Sequence, residues 1–347
     1  MNQEFIEALK EIVKEKGIDE DLLFTTIEDA LVAAYKKNFL NTVGSSQLVK
    51  VTMNRENGDI HVYSQKTVAE EVLDISSELT LTEAKLVSPR YQIGDVVDLE
   101  VTPKTFGRVA AQAAKQVVIQ RIKEAERSII YNEFIEKEYD IITGTILRKD
   151  KGNVLIDLGR IESVLGPNEQ IPNEEYIFNE RIKLYIVEVK NTTKGAQIVV
   201  SRTHPGLVKR LFELEVPEIY NGTVEIKGIS REAGFRTKIA VYSNDENVDP
   251  MGACVGPKGI RVQNIVNELK NEKIDIIKWS KLPEEFISNA LSPAKTLEVL
   301  IDEISKCARV IVDDNQLSLA IGKEGQNVRL AAKLTGWKID IKSKSQV

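Results

Sequence analysis

Two short motifs in the sequence pair glycines three positions apart, and both could bind a phosphate chain. They read GPKG, with Gly256, Pro257, Lys258 and Gly259, and GKEG, with Gly322, Lys323, Glu324 and Gly325. Glycine adopts positive φ without strain and has no side chain to keep a ligand away. A helix that begins after such a corner directs unpaired amide groups and the positive end of its dipole at whatever lies over the loop. The motifs therefore predict sites for a slender polyanion such as a sugar-phosphate chain.

Each motif lies in the same order of predicted elements. The order is helix, strand, strand, helix, G-x-x-G corner, helix and a last strand that contains the letters KIDI, at 273–276 and again at 338–341. The helices that open the two copies are expected at 206–215 and 284–291. Because element order, motif and last strand all agree, the sequence indicates an internal duplication.

This order is that of the type II KH domain, a module that clamps about four nucleotides of a single strand at its G-x-x-G loop. A lone G-x-x-G is most often only a corner where two helices pack, but two copies in the full order favour nucleic-acid binding. Val255 or Ile321, together with alternate residues of the second strand, would line an apolar groove for the bases. The candidate RNA-binding residues are Gly256, Pro257, Lys258, Gly259, Arg261, Gly322, Lys323, Glu324, Gly325, Gln326, Asn327 and Arg329. Glu324 brings a negative charge near the phosphate path, and could instead orient the loop or hydrogen-bond a sugar or base.

The sequence before the duplication predicts two further domains. Helices are expected at 4–16 and from a capping-box pattern at 25–28 to about residue 40, and a hairpin follows around Asn57–Gly58. A long helix from about 107 to 138, roughly 45 Å in length, is expected to project from its domain. Its apolar stripe consists of Ala111, Ala114, Val118, Ile122, Ala125 and Ile129. Five short strands between 139 and 203, separated by Gly, Asn and Pro, predict a small OB-type barrel.

Catalytic and metal-binding patterns are not found in the sequence. Its two histidines, His61 and His204, have no neighbouring nucleophile and carboxylate, and there is no phosphate loop of the G-x-x-x-x-G-K-[ST] type and no cysteine–histidine metal spacing. We therefore expect no enzyme, no metal and no cofactor.

No apolar run approaches the ~18 residues of a membrane span, and the acidic amphipathic start is not a signal peptide. The expectation is a cytoplasmic monomer that contacts no membrane.

Charge is distributed unevenly along the chain. The net charge of all 347 residues is −6, which argues against a protein that binds nucleic acid over its whole surface. Residues 221–347 have 19 Lys and Arg against 17 Asp and Glu, so a weak basic excess falls on the duplicated part. This distribution favours local rather than general binding of a polyanion.

Several longer segments resemble one bacterial family. The stretches FGRVAAQAAKQVVIQRIKEAER, LFELEVPEI, SREAGFRTKIAV, DPMGACVGPKGIRVQNIVNEL and LAIGKEGQNVRLAAKLTGWKIDI are similar to the NusA family of transcription termination and antitermination factors. The likeness covers essentially the whole chain, in a short form that lacks the acidic carboxy-terminal repeats of some members. It implies an α+β multidomain fold with an N-terminal α/β domain and long projecting helix, an S1-type OB β-barrel, and two tandem type II KH domains. The expected boundaries are 1–130 for the N-terminal domain, 131–203 for the barrel, 204–280 for the first KH domain and 281–347 for the second.

The resemblance also implies a function. A member of this family would bind RNA polymerase core near the RNA exit channel through residues 1–130, hold nascent single-stranded RNA, and modulate pausing, intrinsic termination and antitermination. Other antitermination factors would be further partners. Arg108 and Lys115, seven apart on the long helix, match the positions whose basic side chains face the exiting transcript in the family. A solvated helix face is the alternative for these two residues.

Two other functions stay open at the level of the sequence. KH and S1 modules also occur in accessory subunits of RNA-processing or RNA-degrading enzymes, although those enzymes place one KH module before the barrel and after large catalytic domains. A ribosome-associated KH protein is the third option, but it would not need the long helix and the acidic first domain.

Overall fold

The computed structural model describes residues 3–40, 48–172, 174–193 and 195–346. The chain forms two compact units, Met1–Ile129 and Ile130–Val347. In the described residues, no helix is both long and apolar enough to cross a membrane.

The N-terminal unit combines helices with a four-stranded sheet. Its elements are α1 (Gln3–Lys16), α2 (Glu20–Phe39), β1 (Leu48–Met53), β2 (Ile60–Ala69), β3 (Glu78–Thr80), α3 (Leu81–Val87), β4 (Val96–Glu100) and the start of α4 (Phe106–Ile135). Strand β2 pairs with all three other strands, antiparallel to β1 and β4 and parallel to β3. The predicted hairpin around Asn57–Gly58 is confirmed as β1 and β2. One core lies between α1, α2, α4 and the β1–β2 hairpin, and a small second core lies under α3.

The start of α2 differs from the prediction. The helix begins at Glu20 because Asp19 caps it, accepting a hydrogen bond from Leu22 N at 2.9 Å. Thr25 and Thr26, which the capping-box pattern placed at the helix start, instead donate from their hydroxyls to backbone carbonyls one turn earlier. A hydroxyl inside a helix makes this bond readily, so the same residue types fit a cap or an interior position.

The apolar face of α4 is also shifted from the predicted stripe. Phe106, Ala110, Ala114 and Val118 are buried in the N-terminal core, whereas the predicted member Ala111 is exposed. Ile129 is exposed as well. Near the carboxyl end of α4, Phe134 is buried in the core of the barrel, with Ile130, Tyr131 and Ile135 packed around it.

The predicted five-stranded barrel is present in the second unit. Its strands are β5 (Ile141–Asp150), β6 (Asn153–Asp157), β7 (Glu162–Leu165), β8 (Arg181–Thr192) and β9 (Gly195–Ser201), in the order β7-β6-β5-β8-β9. The two edge strands approach each other, and the buried Ser163 hydroxyl on β7 donates to Ile198 O on β9 at 2.7 Å. This bond closes the sheet into a near-barrel around an interior of Ile, Leu and Val side chains.

Both KH domains have the predicted element order. The first contains α5 (Pro205–Glu215), α6 (Pro217–Tyr220), β10 (Val224–Glu232), β11 (Arg236–Ser243), α7 (Pro250–Val255), α8 (Ile260–Glu268) and β12 (Lys273–Lys278). The second contains α9 (Pro283–Ala290), β13 (Thr296–Asp302), β14 (Cys307–Val312), α10 (Leu317–Ile321), α11 (Gln326–Thr335) and β15 (Lys338–Ser343). In each sheet the central strand pairs antiparallel with the strand before it and parallel with the KIDI strand.

The second KH domain covers the outer face of the first domain's sheet. Lys238 on β11 is fully buried there, and its ammonium donates to Asp275 Oδ2 at 3.0 Å and to Ser292 O, before β13, at 2.7 Å. Burial lowers the pKa of Lys238, and the neighbouring Asp275 opposes this shift. At the matching register of the second domain, Arg309 and Asp340 lie 3.9 Å apart and are both exposed. The duplicated sheets therefore share a cross-strand ion pair that is covered in one copy and open in the other.

A buried arginine joins the barrel to the first KH domain. Arg202, at the end of β9, is fully buried and forms a two-pronged ion pair with the buried Glu174. Its other nitrogen donates to Glu268 Oε1 on α8 at 3.1 Å and to Lys183 O at 2.8 Å. A buried charge is tolerated only where it is paired and its hydrogen-bonding capacity is met, as it is here.

We predict that Arg202→Ala destabilises the second unit by about 3–5 kcal/mol, because it leaves the Glu174 carboxylate buried without its partner. Lys190→Ala, which breaks an ion pair whose two side chains are about half exposed, is the matched control and should change stability by less than about 1 kcal/mol. Calorimetric unfolding of the full chain measures both effects. Equal melting temperatures for the two variants would contradict this role of Arg202.

Candidate nucleic-acid interface

The two G-x-x-G corners have the same backbone conformation. Gly256 has φ 72° and ψ 174°, and Gly322 has φ 77° and ψ 170°. The third residue of each corner is left-handed, with φ 54° and ψ 23° at Lys258 and φ 53° and ψ 25° at Glu324. The second KH domain thus repeats the first at the level of individual torsion angles, although the side chains at the third position have opposite charge.

The first glycine of each corner is required by packing. A Cβ atom at Gly256 would lie 2.6 Å from Arg261 Cγ, and one at Gly322 would lie 2.8 Å from the backbone nitrogen of Asn327. The combination of positive φ with ψ near 180° is in addition accessible essentially only to glycine. These two glycines let the helices on either side of the corner approach each other.

The second glycine of each corner faces open space. No atom lies within 4 Å of a Cβ built on Gly259, and at Gly325 the nearest atom, Arg329 Nη1, is 3.8 Å away. Both residues are the N-caps of the following helices, α8 and α11, and neither helix has a side-chain cap. The first amide of each helix donates to a carbonyl of the corner, Ile260 N to Pro257 O and Gln326 N to Lys323 O, and no capping side chain occupies the amides that follow.

The lysines of the corners are available as cations. Lys258 and Lys323 are exposed, and no carboxylate of the described residues lies within 4.0 Å of either ammonium. Glu324 is exposed beside Lys323. The first corner therefore presents a net positive charge and the second a lysine next to a carboxylate.

Two of the predicted arginines form hydrogen bonds with other residues of the chain. Arg261 Nη1 donates to Glu218 Oε2 at 2.9 Å and to Ala253 O at 2.6 Å, which ties α8 to α6 and α7. Arg329 Nε donates to Glu232 Oε1 at 2.8 Å, on β10 of the first KH domain. This hydrogen bond lowers the pKa of the Glu232 carboxyl.

The remaining candidates lie in different environments. Pro257 is exposed at the tip of the first corner. Gln326 donates to Glu232 Oε2 at 2.9 Å, in the contact between the KH domains. Asn327 is buried, and its side-chain amide donates to Leu291 O at 2.9 Å and to Ala320 O at 3.1 Å. Its side chain points into the domain, so the placement of Asn327 supports a packing role at the corner rather than contact with RNA.

A groove near α7 lies at the junction of the two KH domains. Val255 and Ile321 are partly exposed beside the corners, as the sequence suggested. Met251 of α7 and Ile276 and Lys278 of β12 line this groove on one side, and residues 292–296 of the second domain line it on the other. The second strand of the first domain, β11, is the central strand of the sheet, and its residues Tyr242 and Ser243 line another depression together with Pro250. The parallel pairing that leaves β12 at the edge is not visible in a strand's own sequence.

Arg108 and Lys115 lie on α4 in the N-terminal unit. Both are exposed, and neither has a carboxylate within 4.0 Å in the described part of the chain. Their Cα positions, two turns apart, put them on the same side of the helix.

The side chains of the types that often act in catalysis are either held in structural hydrogen bonds or buried. His61 pairs with Glu100 at 2.8 Å, and the His204 Nδ1 accepts a hydrogen bond from Gly206 N as the cap of α5. Burial raises the pKa of the Cys254 thiol to about 12, so it is protonated at neutral pH. Among the described residues, no group of three or more His, Cys, Asp and Glu side chains could hold a metal ion.

Comparison with known families agrees with this architecture. Residues 4–128 match the family model of the NusA N-terminal domain, residues 202–279 that of the NusA-like first KH domain, and residues 283–347 that of the NusA-like second KH domain. A transcription termination/antitermination protein NusA from Halalkalibacterium halodurans is 59% identical over 346 residues, which cover 100% of this chain and 90% of the relative. This chain belongs to the NusA family.

Further NusA relatives are similarly close. The transcription termination/antitermination protein NusA of Bacillus subtilis is 58% identical over 345 residues, 99% of this chain and 92% of the relative. The solution structure of the N-terminal domain of NusA from the same organism is 50% identical, with alignment over 37% of this chain and 99% of that structure and a TM-score of 0.33. Both NusA-like KH matches include the corners described above, and the names of these relatives do not favour the RNA-processing alternative.

We predict that the two glycines of one corner differ in their tolerance of substitution. Gly256→Ala should lower stability by about 2 kcal/mol or more, because it adds a clash to a backbone conformation that only glycine adopts. Gly259→Asn should cost less than about 1 kcal/mol, since asparagine tolerates the left-handed region and the added side chain meets no atom. Thermal unfolding of the two single variants tests this order. A larger loss of stability for Gly259→Asn than for Gly256→Ala would contradict these roles of the two glycines.

Proposed function

We propose that this protein is an RNA-binding transcription elongation factor. Residues 1–130 bind RNA polymerase core near the RNA exit channel, the two KH domains hold the nascent single strand, and the complex modulates pausing, intrinsic termination and antitermination. The relatives that are 58–59% identical and named transcription termination/antitermination proteins support this assignment. The proposal places the protein in the cytoplasm, with no membrane, cofactor or catalytic step, and with other antitermination factors as further partners.

The observation that carries RNA binding is the pair of matching corners. In each, a second glycine with no close contact at its Cβ position precedes a helix that has no side-chain cap, and an exposed lysine lies in the same corner. These features supply donors, positive charge and room for a phosphate backbone at two places.

Each corner residue has a role in this proposal. Lys258 and Lys323 contact phosphates as point charges, and Gly259 and Gly325 leave room for the backbone of the strand. Glu324, at the position equivalent to Lys258, repels a phosphate and makes the second corner the weaker of the two. The apolar side chains of the adjoining grooves contact base faces.

The two corners bind one strand because contacts between the KH domains hold them in a fixed arrangement. Lys238, buried between them, donates to both sides of the junction, and Arg329 and Gln326 bind Glu232 across it. When the second contact is made within one molecule, its effective concentration is high, and the overall affinity exceeds that of either corner. We infer that the linker around 279–283 serves as a rigid spacer.

The N-terminal unit has a separate task in this proposal. Arg108 and Lys115, both exposed on one side of α4, face the exiting transcript. We propose the domain boundaries 1–130, 131–203, 204–280 and 281–347, so that the polymerase-binding part and the RNA-binding part are separable.

We predict opposite effects of charge reversal at the equivalent third positions of the two corners. Lys258→Glu should weaken binding of a 12-nucleotide single-stranded RNA about five-fold, and Glu324→Lys should strengthen it by a similar factor, because each changes one charge beside a phosphate. Fluorescence anisotropy titrations at several salt concentrations measure both. The slope of log affinity against log salt should become shallower by about 0.7 in Lys258→Glu, as one phosphate contact is lost.

The control is Lys14→Glu, the same charge change at an exposed position of α1. It should leave RNA affinity unchanged. If it weakens binding as much as Lys258→Glu does, overall charge rather than the corner is responsible, and the proposed site is wrong.

We predict that a fragment of residues 1–130 is retained by core RNA polymerase in a pull-down, since the chain divides into two compact units close to this boundary. A fragment of residues 131–347 is the matched control and should be retained much less in the absence of RNA. Retention of the second fragment only would refute the assignment of polymerase binding to the N-terminal unit.

A further inference from the structure

A cleft of about 490 Å³ lies between the two KH domains, next to the second corner. The first domain contributes Phe235, Arg236 and Lys273 to its walls, and the second contributes Leu319, Gly322 and Lys323. Lys273 begins β12, the strand that forms one wall of the first domain's groove. The cleft therefore connects the end of that groove with the loop of the next corner.

The cleft contains an exposed aromatic side chain. Phe235 is 52% exposed, at the tip of the tight turn between β10 and β11. A phenylalanine that is half exposed presents a flat apolar face to water, and such a face is a common site for stacking an unpaired base.

The turn that carries Phe235 is held rigidly. Gly234 N donates to Glu272 Oε2 at 2.8 Å, and Glu272 is fully buried. Arg231 binds the same carboxylate with two hydrogen bonds of 2.9 Å, and Thr237 Oγ1 donates to it at 2.6 Å. On the other side, a Cβ atom at Gly234 would lie 2.7 Å from Ile171 of the barrel, so the turn is packed there as well. A platform fixed in this way loses little conformational entropy when a ligand binds.

The charges around the ring are suited to a polyanion. Lys273 and Lys323 are both exposed, and neither ammonium has a carboxylate of the described residues within 4.0 Å. The third cation of the cleft, Arg236, is neutralised by Asp275, with hydrogen bonds of 2.7 and 2.9 Å. The two unpaired lysines come from different domains, one on each side of the cleft, and the aromatic ring lies in the same cleft.

We propose that Phe235 is a base-stacking platform for single-stranded RNA at the passage from the first KH domain to the second. One base stacks on the ring, and Lys273 and Lys323 contact the neighbouring phosphates. This inference rests on the proposed binding of RNA at the corners, and it adds a contact that belongs to neither corner. A strand long enough to pass both corners should therefore gain more affinity than the two corners alone provide.

The test compares RNA lengths on the full-length protein. Phe235→Ala should weaken binding of a 12-nucleotide single-stranded RNA about five- to ten-fold, which is in the range seen when a stacking aromatic is removed. Binding of a four-nucleotide RNA, which a single KH domain holds, should be unchanged. Phe235→Tyr keeps the ring and should bind as the original chain does, whereas Phe235→Leu keeps apolar volume without a flat ring and should bind like the alanine variant.

Two further measurements make the result specific. Tyr220→Ala removes an aromatic residue that is 83% exposed and does not line the cleft, and should leave binding of both RNAs unchanged. A 12-nucleotide RNA with 5-iodouridine at successive positions should photocrosslink to Phe235 at one position, and the crosslink should be absent in Phe235→Leu. Because the ring is half exposed, the melting temperature of each variant should stay within about 2 °C.

The outcomes separate this inference from the function on which it rests. If Phe235→Ala binds the long RNA normally while Lys258→Glu weakens it, the platform is refuted and RNA binding at the corners stands. If neither variant changes affinity, both the platform and the proposed corner sites are wrong. If Phe235→Ala weakens the four-nucleotide RNA as much as the long one, the ring belongs to a single domain's site, and its role at the passage is refuted.

Discussion

The site depends on a backbone constraint, namely that Gly256 and Gly322 adopt torsion angles that only glycine tolerates. This conformation turns the chain between two helices so tightly that the side chain five residues on packs against the first glycine. As a result, the second glycine faces solvent and the next helix has no side-chain cap. The proposed anion site is thus formed by backbone geometry, and the surrounding side chains only adjust its charge.

Buried ion pairs fix how the domains of the second unit are joined. Arg202 links the barrel to the first KH domain, Lys238 links the first KH domain to the second, and Glu272 holds the turn that both the barrel and the second domain approach. Such pairs contribute modestly to stability once their desolvation is counted, but they accept only one geometry. In a protein that binds one strand at several places, a fixed spacing between these places is the more useful property.

Much of this arrangement can be predicted from the sequence. The duplication, the order of elements and the five strands of the barrel follow from repeated letters and alternating patterns, which depend on local residues. Errors came where a residue type suits two situations. Thr25 and Thr26 fit a helix cap as well as a helix interior, and Ala111 fits an apolar stripe but lies on the solvent side of α4.

Contacts between residues far apart in the sequence were less accessible to sequence reasoning. Asn327 and Arg261 stand next to the motifs and look like ligand contacts, but their partners, Leu291 O and Glu218, are 36 and 43 residues away in the chain. Phe235 lies in the stretch SREAGFRTKIAV but in neither G-x-x-G motif, and only the packing of the second domain beside it creates a cleft. A motif indicates where a site is, whereas the residues that complete it are selected by the tertiary fold.

The third position of each corner has a further consequence. Lys258 and Glu324 share one backbone conformation and both point into solvent, so the charge there can change in evolution with almost no effect on folding. A strand held by two clamps of unequal strength dissociates first from the weaker one. In the proposed RNA complex, the opposite charges would therefore make the strand dissociate from the second domain before it leaves the first.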